Sequence, residues 1–243
     1  MRINRYISDS GCCSRREADR LIAEGRVRIN GRVALIGQKV QPGDSVMLDG
    51  RPVTGSGPKK YLALYKPRGI VCTADPREKY NVVDYLGYPE RVYPVGRLDK
   101  DSEGLLIMTS DGNIVNRLLR AAGGHEKEYQ VTVDRPVTAE FLRRMAAGVP
   151  VLERITLPCR VKPTGRFSFD IILVQGLNRQ IRRMCEYLGY RVRELRRVRI
   201  MNIELGDMQP GDWRELTKAE LDMLMQSLAD KERRAASGTL EEE

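Results

Sequence analysis

Val95-Gly96-Arg97-Leu98-Asp99-Lys100-Asp101-Ser102-Glu103-Gly104-Leu105-Leu106 places acids in an irregular, glycine-bounded turn just before an apolar run, Leu105-Leu106-Ile107-Met108. A short apolar run behind a glycine reads as a buried strand. Charged residues crowded against a strand start are ordinarily solvated. Here the acids lie between two arginine-rich regions of the chain. An Asp beside arginine stays ionised and is available as a nucleophile.

The rest of the chain sharpens this reading. Gly96-Arg97-Leu98-Asp99 followed by Ser102-x-Gly104-Leu105-Leu106 resembles the catalytic motif of RNA pseudouridine synthases of the RsuA/RluF type. Upstream, Tyr65-Lys66-Pro67-Arg68-Gly69-Ile70-Val71 resembles that family's first motif. Lys127-Glu128-Tyr129-Gln130-Val131 resembles the segment that carries its base-stacking tyrosine. Gly176-Leu177-Asn178-Arg179-Gln180-Ile181-Arg182-Arg183-Met184 resembles its third motif. The four occur in the family's order between about residues 60 and 225. One such motif is a weak signal; four in order are specific.

The resemblance implies a set of roles. Asp99 is the catalytic aspartate, Tyr129 lies under the target base, and Arg182 pairs with Asp99. Arg97 is associated with holding the place or the backbone of a flipped nucleotide. Lys66, Arg179, Gln180 and Arg183 join it as expected RNA contacts. The implied reaction breaks the bond from C1′ to N1 of uracil, turns the base and joins C1′ to C5. It needs no redox change and no energy input, so no cofactor and no metal are expected. The implied substrate is ribosomal RNA, with the large-subunit (RluF-like) branch the nearer one and transfer RNA the alternative.

Bulk properties fit a polyanionic partner. The 243 residues carry a net charge of +9, enough chain for one large domain or two smaller ones. Residues 1–60 hold 12 Lys/Arg against 6 Asp/Glu, and residues 177–199 hold 8 Arg against 2 Glu. The basicity is therefore local, as in an electrostatic footprint for nucleic acid. Five cysteines, at 12, 13, 72, 159 and 185, form no CxxC pair and are odd in number. This argues against a disulfide framework and a zinc site. The opening Met1-Arg2-Ile3-Asn4-Arg5 has no apolar signal region, and no apolar run reaches membrane-spanning length. The expectation is a reduced, cytoplasmic, monomeric protein. The single histidine, His125, makes a His-centred triad improbable and reads as a loop residue.

Local signals give the organisation. Ser14-Arg15-Arg16-Glu17 is a capping box before Ala18, Leu21 and Ile22, and Gly25 stops that helix. Asn30-Gly31 predicts a type I′ hairpin between Val27–Ile29 and Arg32–Ala34, and Asp49-Gly50 a second turn. Residues 1–54 thus read as a helix-hairpin module and its linker. They resemble the S-four type RNA-binding module, with Arg5, Arg15, Arg16, Arg20, Arg26 and Arg28 taken as phosphate contacts poorly matched by acids. Gly55-Ser56-Gly57-Pro58 reads as a flexible linker.

Residues 60–228 read as a catalytic α+β domain on a mixed, mainly antiparallel sheet. Phe167-x-Phe169-x-Ile171-x-Leu173 alternates as a strand. Gln180 to Leu188 is predicted helical, Val198 to Leu205 strand. Thr217-Lys218-Ala219-Glu220 caps a last helix to about Leu228, and residues 229–243 are expected to fray. Leu173 and Ile107 are assigned to a pocket wall or the core.

Two rival functions remain at this level. Asp99 and Asp101, at i and i+2, would lie about 6–7 Å apart on an extended chain, close to the carboxyl separation of an inverting glycosidase. The other rival is a non-catalytic RNA-binding or ribosome-assembly protein, which altered motifs would have favoured; Asp99, Tyr129 and Arg182 are all present.

Overall fold

Two short helices, α1 (Ile3–Asp9) and α2 (Arg15–Ala23), open the chain in the computed structural model, which describes residues 1–54, 57–119 and 124–238. The Ser14 hydroxyl accepts the Glu17 amide at 3.1 Å, which starts α2 where the capping box places it. Ile3 and Ile7, one helical turn apart, bury against Ala18, Leu21 and Ile22. A four-stranded antiparallel sheet follows, built from β1 (Val27–Ile29), β2 (Arg32–Val33), β3 (Val46–Leu48) and β4 (Arg51–Pro52) in the order β2-β1-β3-β4. Asn30 and Gly31 both take positive φ, as the type I′ turn between β1 and β2 requires. These elements form one of two compact units, Met1–Lys60 with Pro89–Val92 and Ser110–Gly112. The linker expected at 55–58 lies partly outside the described residues, at 55 and 56.

The other unit holds β5 (Tyr61–Lys66), α3 (Val82–Leu86), β6 (Tyr93–Pro94), β7 (Glu103–Thr109), α4 (Gly112–Leu119) and β8 (Lys127–Val133). It continues with α5 (Ala139–Ala147), β9 (Pro150–Val151), β10 (Arg154–Ile155), β11 (Arg160–Gly165), β12 (Ser168–Leu173) and α6 (Gln180–Tyr187). β13 (Val192–Ile200), β14 (Ile203–Glu204), β15 (Trp213–Glu215) and α7 (Lys218–Gly238) complete it. Apart from the β9–β10 hairpin, the strands make one nine-stranded sheet. Its path is β11-β12-β8-β13-β7-β5-β15, with β14 added to β13 and β6 to β7. Every pairing is antiparallel except β13 with β7. This is the mixed, mainly antiparallel α+β architecture expected from the sequence.

Burial follows position in the sheet. β5 and β7 are interior strands of the sheet, flanked on both sides, and are buried from their second residue onward, which explains their unbroken apolar runs. β12 alternates, with Phe169, Ile171 and Leu173 inward. One core joins β8, β12 and β13 to α5 and α6; a second joins β5 and β7 to α4 and α7.

Two expectations are corrected. The strand foreseen from Val198 starts at Val192, because β13 pairs with β8 over residues 192–200 despite four arginines in that span. The last helix continues through Gly238 instead of ending near Leu228. Its extension is rich in Ala, Lys, Glu and Arg, good helix formers, and is tied down by Arg117 to Glu232 at 2.9 Å and Arg233 to Asp230 at 2.8 Å. Of the expected frayed segment, 239–243 lie outside the described residues. His125 is buried, with Nε2 3.0 Å from the Arg117 carbonyl oxygen.

Candidate active site

The parallel pair β7–β13 sets the place of the site. The turn before β7 and the loop before α6 come together at one cavity of about 700 Å³ in the larger unit, a size usual for ligand sites. The turn is fixed from several directions. Leu98 is buried and its amide donates to Cys72 Sγ at 3.2 Å, while the Ser102 amide donates to the Asp99 carbonyl at 3.1 Å. Asp99 is left with its side chain 27% exposed, lining the cavity.

Arg182 sits on the first turn of α6, and its side chain is nearly buried. Its Nη2 donates to the Asp101 carbonyl at 3.1 Å and to Ser102 Oγ at 3.2 Å. Its Nε lies 3.8 Å from Asp99 Oδ2. Arg179 approaches the same oxygen with Nη1 at 3.6 Å. Both separations are too long for hydrogen bonds, so the Asp99 carboxylate is held in a cationic field without its lone pairs being tied down. Burial pushes the Arg182 guanidinium below its ordinary value and Arg179 adds to that push; Asp99 and Asp101 act against it.

Arg179, Arg182 and Arg183 fall within about one helical turn of sequence, yet the structure divides them. Arg179 is the residue before α6, in the left-handed region at φ 50°, and reaches Asp99 from the loop. Arg183 donates instead to the Asn178 carbonyl at 3.1 Å and is absent from the cavity lining. Tyr129 lines the cavity from β8, half-buried, directly across from Ile171 on one side and Arg197 on the other. Arg97 and Lys100 are exposed members of the lining, and Leu173 and Ile107 serve both as core and as wall.

Two expected RNA contacts are also engaged within the protein. Lys66 is fully buried, with Nζ donating to the Pro67 carbonyl at 2.7 Å and the Ile70 carbonyl at 2.8 Å. It ties its own loop, and burial lowers its pKa, opposed by the neighbouring acids of the turn. Gln180 is 5% exposed; its Oε1 accepts the Leu177 amide at 2.9 Å, closing the loop that carries Arg179. Lys66 is absent from the cavity lining, while Gln180 is part of it.

In the smaller unit the arginines also divide. Arg20 is held between Glu17 and Glu24, Arg26 pairs with Asp49 and Glu24, and Arg5 with Asp9. The expectation of poorly matched arginines fails for these three. Arg15, Arg16 and Arg28 are exposed and have no carboxylate partner among the described residues.

Sequence reasoning missed Ser102 and Arg197. Ser102 is buried and accepts from Arg182. Arg197 is 3% exposed and lines the cavity; its Nε donates to the Leu105 carbonyl at 2.7 Å. The signal for it was alternation: Leu195 and Arg197 share a face once the strand is known to include both.

Among the described residues, no group of three His, Cys, Asp or Glu is placed to hold a metal ion, and no helix is long and apolar enough to cross a membrane.

Comparison with known proteins agrees with this geometry. A family model described as RNA pseudouridylate synthase matches residues 60–187, and an S4 domain model matches residues 1–46. The chain is 53% identical over 223 residues to the "Dual-specificity RNA pseudouridine synthase RluF" of Escherichia coli (strain K12), covering 91% of this chain and 77% of that protein. It is 36% identical over 241 residues to the "Ribosomal large subunit pseudouridine synthase B" of Bacillus subtilis (strain 168), covering 94% and 97%. A solved structure of a pseudouridylate synthase superposes with a TM-score of 0.68 at 26% identity, covering 92% of this chain and 99% of that one. The chain therefore belongs to the RNA pseudouridylate synthase family, an RNA pseudouridine synthase carrying an S4 domain at its N-terminal end.

Proposed function

We propose that the chain converts a uridine of large-subunit ribosomal RNA to pseudouridine, with Asp99 as nucleophile and without a cofactor. The observation that carries this is the Asp99 carboxylate set between Arg179 and Arg182 at 3.6 and 3.8 Å, in a cavity that Tyr129 also lines. An extruded uridine enters the cavity and stacks on the Tyr129 ring. Extrusion costs a few kcal/mol, least in a loop or bulge. Asp99 attacks as the C1′–N1 bond breaks. The detached uracil turns, its C5 attacks C1′ as the bond from C1′ to the Asp99 oxygen breaks and frees the carboxylate, the C5 proton leaves and N1 gains a proton. The Tyr129 hydroxyl is a candidate in the lining to handle that proton, and Arg182 places a positive charge beside the Asp99 carboxylate.

Support for a ribosomal substrate comes from the name of the Bacillus relative, which specifies the large ribosomal subunit. The Escherichia relative is named for a dual specificity, which favours a second RNA; a transfer RNA loop of similar shape is the alternative substrate. In the smaller unit, Arg15, Arg16 and Arg28 supply phosphate contacts.

The test is tritium release from ribosomal RNA labelled at uridine C5, for the native chain and Asp99→Asn, each with RNA affinity measured in parallel. Release by the native chain alone, with affinity nearly unchanged, is expected. A large loss of affinity in Asp99→Asn would make Asp99 structural, and inhibition by chelators would contradict the cofactor-free reaction.

A further inference from the structure

Arg197 is the most buried cation of the cavity wall, and part of its hydrogen-bonding capacity is unused. It is 3% exposed, its Nε is committed to the Leu105 carbonyl at 2.7 Å, and its Nη2 is buried without a hydrogen-bond partner. Among the described residues no carboxylate lies within ion-pair distance of it. An arginine that only propped β7 would need the Nε bond alone. Leaving a charged donor unsatisfied in an interior is costly, and such a group in a cavity wall points to a ligand acceptor that completes it. The Nε bond also fixes the plane of the guanidinium, so the direction of Nη2 is set before any ligand arrives.

We infer that Arg197 Nη2 donates a hydrogen bond to a carbonyl oxygen of the pyrimidine held on Tyr129, making Arg197 a base-recognition residue of the site. This rests on the reading of the cavity as the uridine site. Three features favour the base over a phosphate. Tyr129 is the direct cross-strand neighbour of Arg197, so the two side chains leave the same face of the sheet, and both line the cavity. The strand neighbours that line the cavity with it, Leu195 and Ile200, are apolar and buried, as suits a flat base and not a hydrated phosphate. The exposed cations of the lining, Arg97, Lys100 and Arg179, are the ones a backbone phosphate meets. A donor aimed at O4 also rejects cytidine, whose N4 amino group presents hydrogens at that position.

The test couples a residue change to an atom change. Single-turnover conversion is followed by nucleoside chromatography on ribosomal RNA transcripts made with uridine, 2-thiouridine or 4-thiouridine. The proteins are the native chain, Arg197→Met and Arg197→Lys, with melting temperature and RNA affinity recorded for each. Arg197→Met is expected to slow conversion of uridine RNA by about 10- to 100-fold at unchanged affinity. One of the two thio substitutions should slow the native chain but not Arg197→Met, since sulfur is a poor acceptor and the variant has no donor to lose. That non-additivity identifies the oxygen. Arg197→Lys should fall between the two proteins; where Arg197→Met does not fold, the same comparison is read on Arg197→Lys.

Thio effects that add to the residue effect at both positions would overturn the assignment and leave Arg197 structural. A fall in affinity and in its salt dependence, with no thio coupling, would assign Nη2 to a phosphate and also overturn it. No conversion by the native chain on ribosomal or transfer RNA would instead sink the substrate reading, and the inference with it.

Discussion

Gly104 and Arg197 face each other in the parallel pair β7–β13 so closely that a Cβ on Gly104 would lie 2.3 Å from the Arg197 carbonyl oxygen and 2.7 Å from its amide nitrogen. Gly104 also takes φ +106°, which L side chains rarely adopt. The glycine that bounds the Asp99 turn is thus what lets the two halves of the site meet.

Gly104→Ala therefore meets backbone, not a movable side chain, and pairs overpacking with strain. A loss of about 3 kcal/mol is expected, read from the denaturant midpoint at constant slope. A loss below about 1 kcal/mol would mean that the strands do not approach this closely in solution.

Arg179 and Arg182 should separate on stability. Arg179 is exposed and left-handed, so Arg179→Asn removes a weak surface attraction and puts a residue tolerant of that conformation in its place. Stability is expected to hold within about 0.5 kcal/mol while RNA affinity falls. Arg182→Gln strands the Asp101 carbonyl and Ser102 Oγ and should cost about 2–3 kcal/mol as well as turnover. Equal melting losses in the two variants would contradict this division.

The start of α7 gives a pH signature. Glu220 accepts the Thr217 amide at 2.8 Å and the Arg214 guanidinium at 2.7 and 2.8 Å, and Thr217 Oγ1 accepts the Glu220 amide at 3.2 Å. The Arg214 hydrogen bonds, ahead of other causes, hold the Glu220 carboxyl down at about 2 against an ordinary 4.5. A depressed carboxyl stabilises the fold above its unfolded value and loses that stabilisation as pH falls through its folded value. Glu220→Gln should cost about 1–2 kcal/mol near pH 7. The gap to the native chain should close between about pH 4.5 and about pH 2; a gap constant over that window would sink the assignment.

Salt dependence should follow which arginines of the smaller unit lack acids. Arg15→Gln with Arg16→Gln is expected to reduce the slope of log affinity against log salt by about 1–2, roughly one per lost phosphate contact. Arg20→Gln, already paired with Glu17 and Glu24, should change the slope by well under one. Equal slopes for both variants would place the RNA elsewhere on the protein.

Local chemistry was legible without coordinates. Ser14 with Glu17, Thr217 with Glu220, and Asn30-Gly31 act within three residues of themselves, and the backbone does what they dictate. The alternation of Phe169, Ile171 and Leu173 announced a strand because one face of it is apolar. Asp99, Tyr129 and Arg182 were found through motifs; the structure brings Asp99 and Tyr129 to one cavity and sets Arg182 behind Asp99.

What the sequence settled by itself was the local grammar, the mixed α+β class and the family. The fate of each charged side chain was decided only in the tertiary structure. Lys66 and Gln180 read as RNA contacts, yet both also close their own loops, and only Gln180 lines the cavity. Arg196 and Arg197 are adjacent in an arginine-rich run, but a strand sends neighbours to opposite faces, and only Arg197 enters the cavity. A guanidinium's partner depends on which distant strand lies beside it, and that pairing is made across about ninety residues of chain. Composition counts the charge; packing determines whether it meets water, a carbonyl or a substrate.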